Sequence, residues 1–208
     1  MNQLLEPVTR TAQESIALIP PRFDVEPADL GTALLQVLQK RKSTREFDPR
    51  EISLKTLSRL LWAAFGINRP ADSHRTAPSA KNWQEIDIYV ARAQGLHVFD
   101  AHAFSLRPVR SDDIRAATGW QDFVPLAPVN LVYVADLAKM GEAPHTEKKF
   151  YAALDAGLIS QNVYLFCAAE GLATVVRGWV DRPGLAKVMG LRPAQRVIVA
   201  QSVGYPKV

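Results

Sequence analysis

The sequence predicts an α+β fold. Apolar residues recur at helical spacing in some stretches and alternate at strand spacing in others. The two kinds are interspersed along 208 residues without a strict strand–helix–strand repeat. With 48% hydrophobic residues, one domain of this length can bury a full core.

Taken in order, residues 1–29 carry Pro7, Pro20, Pro21 and Pro27 and read as an extended arm that wraps a partner. A single domain is expected over residues 30–208. Leu30, Leu34, Val37 and Leu38 place a helix over about 30–41. The residue before Pro49 is pushed out of the α region, so the chain becomes extended there. Ser53 caps a second helix over 53–65, with Leu54, Leu57, Leu61, Ala64 and Phe65 on its apolar face and Gly66 as its stop. Residues 68–80 are polar and proline-bearing, hence a loop. Ile86, Ile88 and Val90 alternate as a strand, which pairs with 96–99 across the connection 92–95. Ser111-Asp112-Asp113 opens a short helix that Gly119 ends. Trp120, Phe123 and Pro125 lead into a strand over 129–134, and 139–145 is a loop. The longest helix, 148–170, is apolar on most sides, which implies deep burial, and Gly171 ends it. A strand or extended segment over 172–176 follows. Asp181 caps a helix to Met189 that Gly190 stops, and 196–203 is the last strand.

Composition narrows the function. The net charge of +4, from 25 basic and 21 acidic residues, is too mild for nucleic-acid binding but suits an anionic small ligand. The single Cys167 excludes an intramolecular disulfide and a multi-cysteine metal site; among Leu165, Phe166, Ala168 and Ala169 it reads as a core thiol. His74, His97, His102 and His145 lack metal-ligand spacing, so no metal is expected. The most apolar run, 152–169, still carries Asp155, Gln161 and Asn162, so no membrane span is expected. Residues 1–20 lack the basic start and apolar run of a secretory leader, and a cytoplasmic location is expected.

The chemistry begins at Arg41-Lys42-Ser43-Thr44-Arg45-Glu46-Phe47, where a helix gives way to extended chain. An arginine there can grip a phosphate with a two-pronged fork, and Ser43 can add a neutral hydrogen bond. Taken alone, the cluster reads first as a solvated basic helix C-terminus, which the macrodipole favours. No G-x-S-x-G, P-loop or G-x-G-x-x-G motif occurs. No catalytic side chain is assigned, and a bound cofactor is expected to carry the reaction.

That opening segment resembles the R-[RHK]-S-x-R-x-F start of the nitroreductase family of flavin enzymes. Ala77-Pro78-Ser79-Ala80-Lys81-Asn82-Trp83-Gln84, followed by a strand, is similar to the family's A-P-S-A-x-N-x-Q segment. Asp155-Ala156-Gly157, Gln161-Asn162 and Gly171-Leu172-Ala173-Thr174 resemble its long central helix and following turn. Val203-Gly204-Tyr205-Pro206 resembles its last strand. The resemblance runs from about residue 34 to the C-terminus, in order. Leu61-Trp62-Ala63-Ala64-Phe65-Gly66-Ile67-Asn68 with Arg75-Thr76-Ala77-Pro78-Ser79 leans toward the branch of SagB-type dehydrogenases, which oxidise azolines.

The resemblance implies a central, mostly antiparallel sheet flanked by helices, in an intertwined homodimer with FMN at the subunit interface. It implies ping-pong hydride transfer from NAD(P)H through flavin N5 to a nitro, quinone or related small-molecule acceptor. A flavin-binding protein without turnover and an azoline-oxidising SagB-type dehydrogenase are the alternatives. By position, Arg41 would hold the ribityl-phosphate with Lys42 beside it, Ser43 the ribityl hydroxyls or pyrimidine edge, and Arg45 the flavin N1–O2 locus. Pro78, Ser79, Ala80 and Asn82 would come from the partner subunit. Val176, Arg177 and Gly178 lie where the family presents backbone N–H groups to flavin N5 and O4; the Arg177 side chain either binds phosphate or is exposed. Gln121 or Trp120 touches the pyrimidine edge, or is a solvated amide and a core aromatic. Many relatives continue past the last strand with a basic pair on the phosphate. Here Lys207 does that work alone, or Arg41 and Arg177 suffice.

Overall fold

The computed structural model describes residues 14–21 and 30–207. Most of the expected arm therefore lies outside the described residues. The elements in chain order are β1 (Ile16–Ala17), α1 (Leu30–Lys40), β2 (Phe47–Asp48), α2 (Leu54–Phe65), β3 (Ile67–Arg69), β4 (His74–Arg75), β5 (Ile86–Arg92), β6 (Gly95–Asp100), β7 (Ser105–Arg110), β8 (Val129–Asp136), α3 (His145–Glu170), β9 (Ala173–Arg177), α4 (Arg182–Met189) and β10 (Gln195–Pro206).

The main sheet runs β1-β7-β6-β5-β8-β10-β2, with β9 also paired to β10. Its strand pairs are all antiparallel. Strand alternation sends alternate residues to opposite faces. Ile88, Val90, Leu131 and Tyr133 thus join Leu57, Leu60, Leu61, Ile159 and Val163 in a core beneath α2 and α3. Tyr89, Val132, Val134 and Val197 point the other way and meet Leu185 and Met189 of α4. Coverage on both faces explains why every residue of β8 is buried. The fold is α+β, with a central antiparallel sheet flanked by helices, as the sequence predicts.

The expected punctuation holds at the helix ends. Ser53 Oγ accepts from Thr56 N at 3.1 Å, and Asp181 accepts from Gly184 N. Gly171 closes α3 in the left-handed region at φ 69°, and Gly190 closes α4 at φ 67°. Cys167 is buried in the core, which pushes its thiol pKa up.

Several boundaries differ from expectation. α3 begins at His145 rather than 148, because Pro144 already supplies the first turn's acceptor, Lys148 N to Pro144 O at 2.9 Å. Residues 68–80 hold the short β3–β4 pair and are not wholly loop. The helix expected from Ser111 is one 3-10 turn, Arg115–Thr118, since Asp113 accepts from Arg115 N and holds the preceding residues in a turn. β7 is unanticipated, because Arg107, Pro108 and Arg110 break its alternation. Within the expected arm, Ile16–Ala17 pairs with β7 and Leu18 is buried in the chain's own core.

α3 is only partly buried within one chain. Ala152, Ala156, Ile159, Val163 and Cys167 face the core, while Phe150, Leu154 and Leu158 are exposed. α1 likewise exposes Leu34, Leu35 and Leu38. Among the described residues, no helix is long and apolar enough to cross a membrane.

Candidate functional site

Residues 41–46 leave α1 as extended chain. Arg41 N still closes the helix on Val37 O at 3.0 Å; Thr44 N then donates to Thr174 O at 2.9 Å. β2 pairs with the end of β10, and Lys207 N reaches Glu46 O at 3.3 Å. The basic segment, β9 and the last strand are thereby brought to one edge. A groove of about 370 Å³ opens there, lined by Lys40, Lys42, Thr44, Tyr164, Leu172, Thr174 and Pro206 among others.

Tyr164 of α3 ties this edge together. Its hydroxyl bonds Ser43 Oγ at 2.8 Å and accepts from Val176 N at 2.9 Å. The Arg41 guanidinium lies 5.5 Å from the Tyr164 ring centroid, within cation–π range. Among the described residues, Arg41, Lys42, Arg45 and Lys207 have no carboxylate within ion-pair distance. Among the described residues, their positive charge is uncompensated.

Arg177 behaves differently. Only 3% of it is exposed. Its guanidinium donates to Ser202 Oγ, Thr118 O, Thr118 Oγ1 and Asn130 Oδ1. Burial lowers its pKa to about 10. The side chain is not exposed; its donors are used inside the chain, where they tie Thr118, Asn130 and Ser202 to β9. Gly119 makes room for it, since a Cβ there would sit 1.9 Å from Arg177 Nη1. Nearby, Gln121 Oε1 is buried without a partner, and Trp120 is 60% exposed rather than core-lining. Val176 N–H is taken by Tyr164. Gly178 is exposed, with only the Arg182 tip near an added Cβ, at 3.9 Å.

Pro78, Ser79, Ala80 and Asn82 belong to a second cluster. Lys81, Asn82 and Gln84 all have positive φ, at 51°, 53° and 48°. That region is uncommon for residues other than glycine and costs on the order of 1–3 kcal/mol each. The loop is held from below. Ser79 Oγ accepts from Gln84 N at 2.8 Å and donates to Glu85 Oε2 at 3.3 Å. Ala80 N donates to Asp155 Oδ2 at 2.9 Å, and Lys81 pairs with Glu147 at 3.0 Å.

One chain does not bring the two clusters together. Asp155 and Tyr164 are nine residues apart on α3, roughly half a turn round the axis and about 14 Å along it. Sequence reasoning assigned no role to Tyr164, Glu85 or Asp155. Asp155 carries a readable signal, a lone carboxylate in an apolar stretch of a buried helix. Tyr164 does not, because its ring is ordinary core material.

An antiparallel sheet wrapped by helices, with a basic edge beside β9, defines the nitroreductase-like class of α+β folds. The model of the nitroreductase family matches residues 38–205. The chain belongs to that family and is an oxidoreductase. It is similar to a protein of Methanocaldococcus jannaschii named as a nitroreductase, 28% identical over 70% of this chain and 78% of the relative. The crystal structure of a protein of Ralstonia eutropha, also named as a nitroreductase, is 41% identical with a TM-score of 0.87, covering 100% of this chain and 97% of the other. The NADPH:FMN oxidoreductase of Vibrio harveyi shares the fold at 20% identity, with a TM-score of 0.63 over 84% of this chain and 69% of the other.

Proposed function

We propose that the protein is an FMN- and NAD(P)H-dependent oxidoreductase acting as a homodimer. The observation that carries this reading is the charge of Arg41, Lys42, Arg45 and Lys207, uncompensated among the described residues, on an edge fixed to β9 through Ser43, Tyr164 and Val176. Such an edge fits an organic phosphate ester. Arg41, Lys42 and Lys207 hold the phosphate, and Ser43 the ribityl chain. Arg45 supplies a fixed cation at the pyrimidine edge, where negative charge arrives. Gly178 lets a ring approach the backbone, and the orphaned Gln121 oxygen is an acceptor for a ring N–H. When bound, FMN supplies ping-pong hydride transfer from NADH or NADPH to a nitro, quinone or related acceptor. Solvent provides the protons, so no side chain is needed as general acid.

Incompleteness supports the homodimer. The 78–82 loop and the basic edge lie against opposite sides of α3, so in this reading a partner's loop completes the site. Exposed Leu34, Leu35 and Leu38 of α1 and Phe150, Leu154 and Leu158 of α3 provide apolar surface for that partner. A monomer in sedimentation at micromolar concentration, with flavin retained, would contradict this.

The function is tested on purified protein. A yellow protein whose flavin absorbance bleaches within seconds of anaerobic NADPH or NADH is expected. Protein that is colourless and cannot be reconstituted with FMN would sink the proposal. Exposed Trp120 and Trp179, joined by Trp120 N to Trp179 O at 3.3 Å beside Gly178, favour a second reading as a flavin-sequestering protein, in which these rings cover the cofactor. A bound flavin that stays oxidised under NAD(P)H would decide for it.

A further inference from the structure

Glu85 and Asp155 are two carboxyl groups from different elements, one just before β5 and one in the middle of α3. Both are buried, at 0% and 2% exposure. Neither has a cation as hydrogen-bond or ion-pair partner among the described residues. The nearby lysines are engaged elsewhere: Lys139 with Asp87 and the Gln84 carbonyl, Lys81 with Glu147, and Lys148 with the Leu137 and Gly141 carbonyls. Asp136, whose N–H meets Glu85 O, has its own carboxylate on Ala138 N and Arg192.

Two unshielded buried carboxylates cannot both ionise at low cost. Burial raises the Glu85 carboxyl to about 7, and the Asp155 charge and hydrogen bond push it the same way against the bonds from its own backbone and Ser79. Ser79 Oγ takes Glu85 Oε2, and among the described residues Oε1 is buried with no hydrogen bond to a donor. A proton there gives it a donor toward Asp155. Each acid also holds the same loop: Glu85 takes Ser79 Oγ and Asp155 takes Ala80 N. That loop carries the three residues with positive φ and would relax without its anchors.

We propose that Glu85 keeps a proton that it turns toward Asp155, and that the two act as positioning residues, clamping the 79–84 loop in its cofactor-binding shape and releasing it when the proton passes to solvent. The cofactor part rests on the FMN reading above; the protonation of Glu85 does not. The sign follows from linkage. Below the ordinary carboxyl range both folded and unfolded Glu85 are protonated, and the contribution of the pair is complete. Above it the folded state alone retains the proton, so stability falls as pH rises and the contribution is lost through about 7.

Two measurements test it. The first uses flavin-free protein: infrared titration of protonated carboxyl groups, with the unfolding midpoint, across about pH 5 to 9. The parent should show one buried carboxyl that titrates near neutrality, with a midpoint that declines as pH rises to about 7 and levels off above it. Glu85→Gln, which keeps shape and a donor toward Asp155, should lose the band and flatten the decline. Asp155→Asn, which keeps an acceptor for Ala80 N, serves as a second variant if the first folds poorly, and should lower the pH of the titration. The second is FMN affinity by fluorescence. In the parent it should weaken with pH toward the limit of about tenfold per pH unit for one linked proton; in Glu85→Gln it should change less than about twofold over the same range. A parent with no titrating buried carboxyl, or a variant whose pH profile follows the parent's, overturns the proposal. Failure to bind FMN at any pH, with the carboxyl titration intact, would instead overturn the FMN reading.

Discussion

Residues 41–45 and residues 78–85 lie against opposite sides of α3 and are held in contrasting ways. The first is relaxed extended chain, fixed by the Thr44–Thr174 and Ser43–Tyr164 bonds, with no carboxylate among the described residues within ion-pair distance of its charged tips. The second is strained backbone held on buried carboxyl groups. At the basic edge, binding capacity sits on side chains the fold does not need. At the loop, shape and stability depend on the same groups. Substitutions should therefore separate ligand binding from stability at the first region and combine them at the second.

The largest expected effect is at Asp155→Ala. It strips Ala80 N of its acceptor and Glu85 of its proton partner within the core. A loss of about 2–4 kcal/mol in chemical denaturation is expected, the range for breaking a buried polar pair. A change below about 0.5 kcal/mol would mean that the loop stands without its clamp. Arg41→Ala sharpens the contrast from the other side. Stability should stay within about 0.5 kcal/mol while FMN affinity drops by about 10- to 150-fold, the value of a charge-assisted hydrogen bond. Equilibrium dialysis beside a denaturation curve reads both.

Arg45→Ala should leave the flavin bound but lower its reduction potential by roughly 30–65 mV, because the lost cation favoured the anionic reduced form. Equal potentials in variant and parent would place Arg45 away from the ring. Tyr164→Phe should have the smallest effect. Removing one hydroxyl costs about 1 kcal/mol in stability and, by loosening Ser43, about fivefold in FMN affinity. A change confined to stability would break the link between Tyr164 and the basic edge.

The contrast also explains what the sequence revealed. Helix ends were legible at Ser53, Gly66, Asp181 and Gly190 because capping chemistry is local. The basic edge was legible because its residues are contiguous. β7 was hidden by Arg107 and Pro108, which a strand between β1 and β6 tolerates only once its neighbours exist. Glu85 and Asp155 are seventy residues apart, and their union is a product of α3 crossing beneath the loop. Arg177 was misjudged for the same reason. Its acceptors come from Thr118, Asn130 and Ser202, which no local pattern connects to it.

Arg177 and Gly119 also constrain how this chain can diverge. With a Cβ at 119 falling 1.9 Å from the guanidinium tip, another residue fits there only if the arginine shifts and gives up its bond to Thr118 O. A smaller residue at 177 would vacate that space but leave Asn130 Oδ1 and Thr118 O without their donor. The two sites should drift as a pair: lineages that abandon the arginine become free to fill position 119, and those that keep it fill 119 at the cost of the buried guanidinium's hydrogen bonds. A library randomised at both codons and selected for folding should recover substituted 119 more often alongside a replaced 177 than beside the arginine.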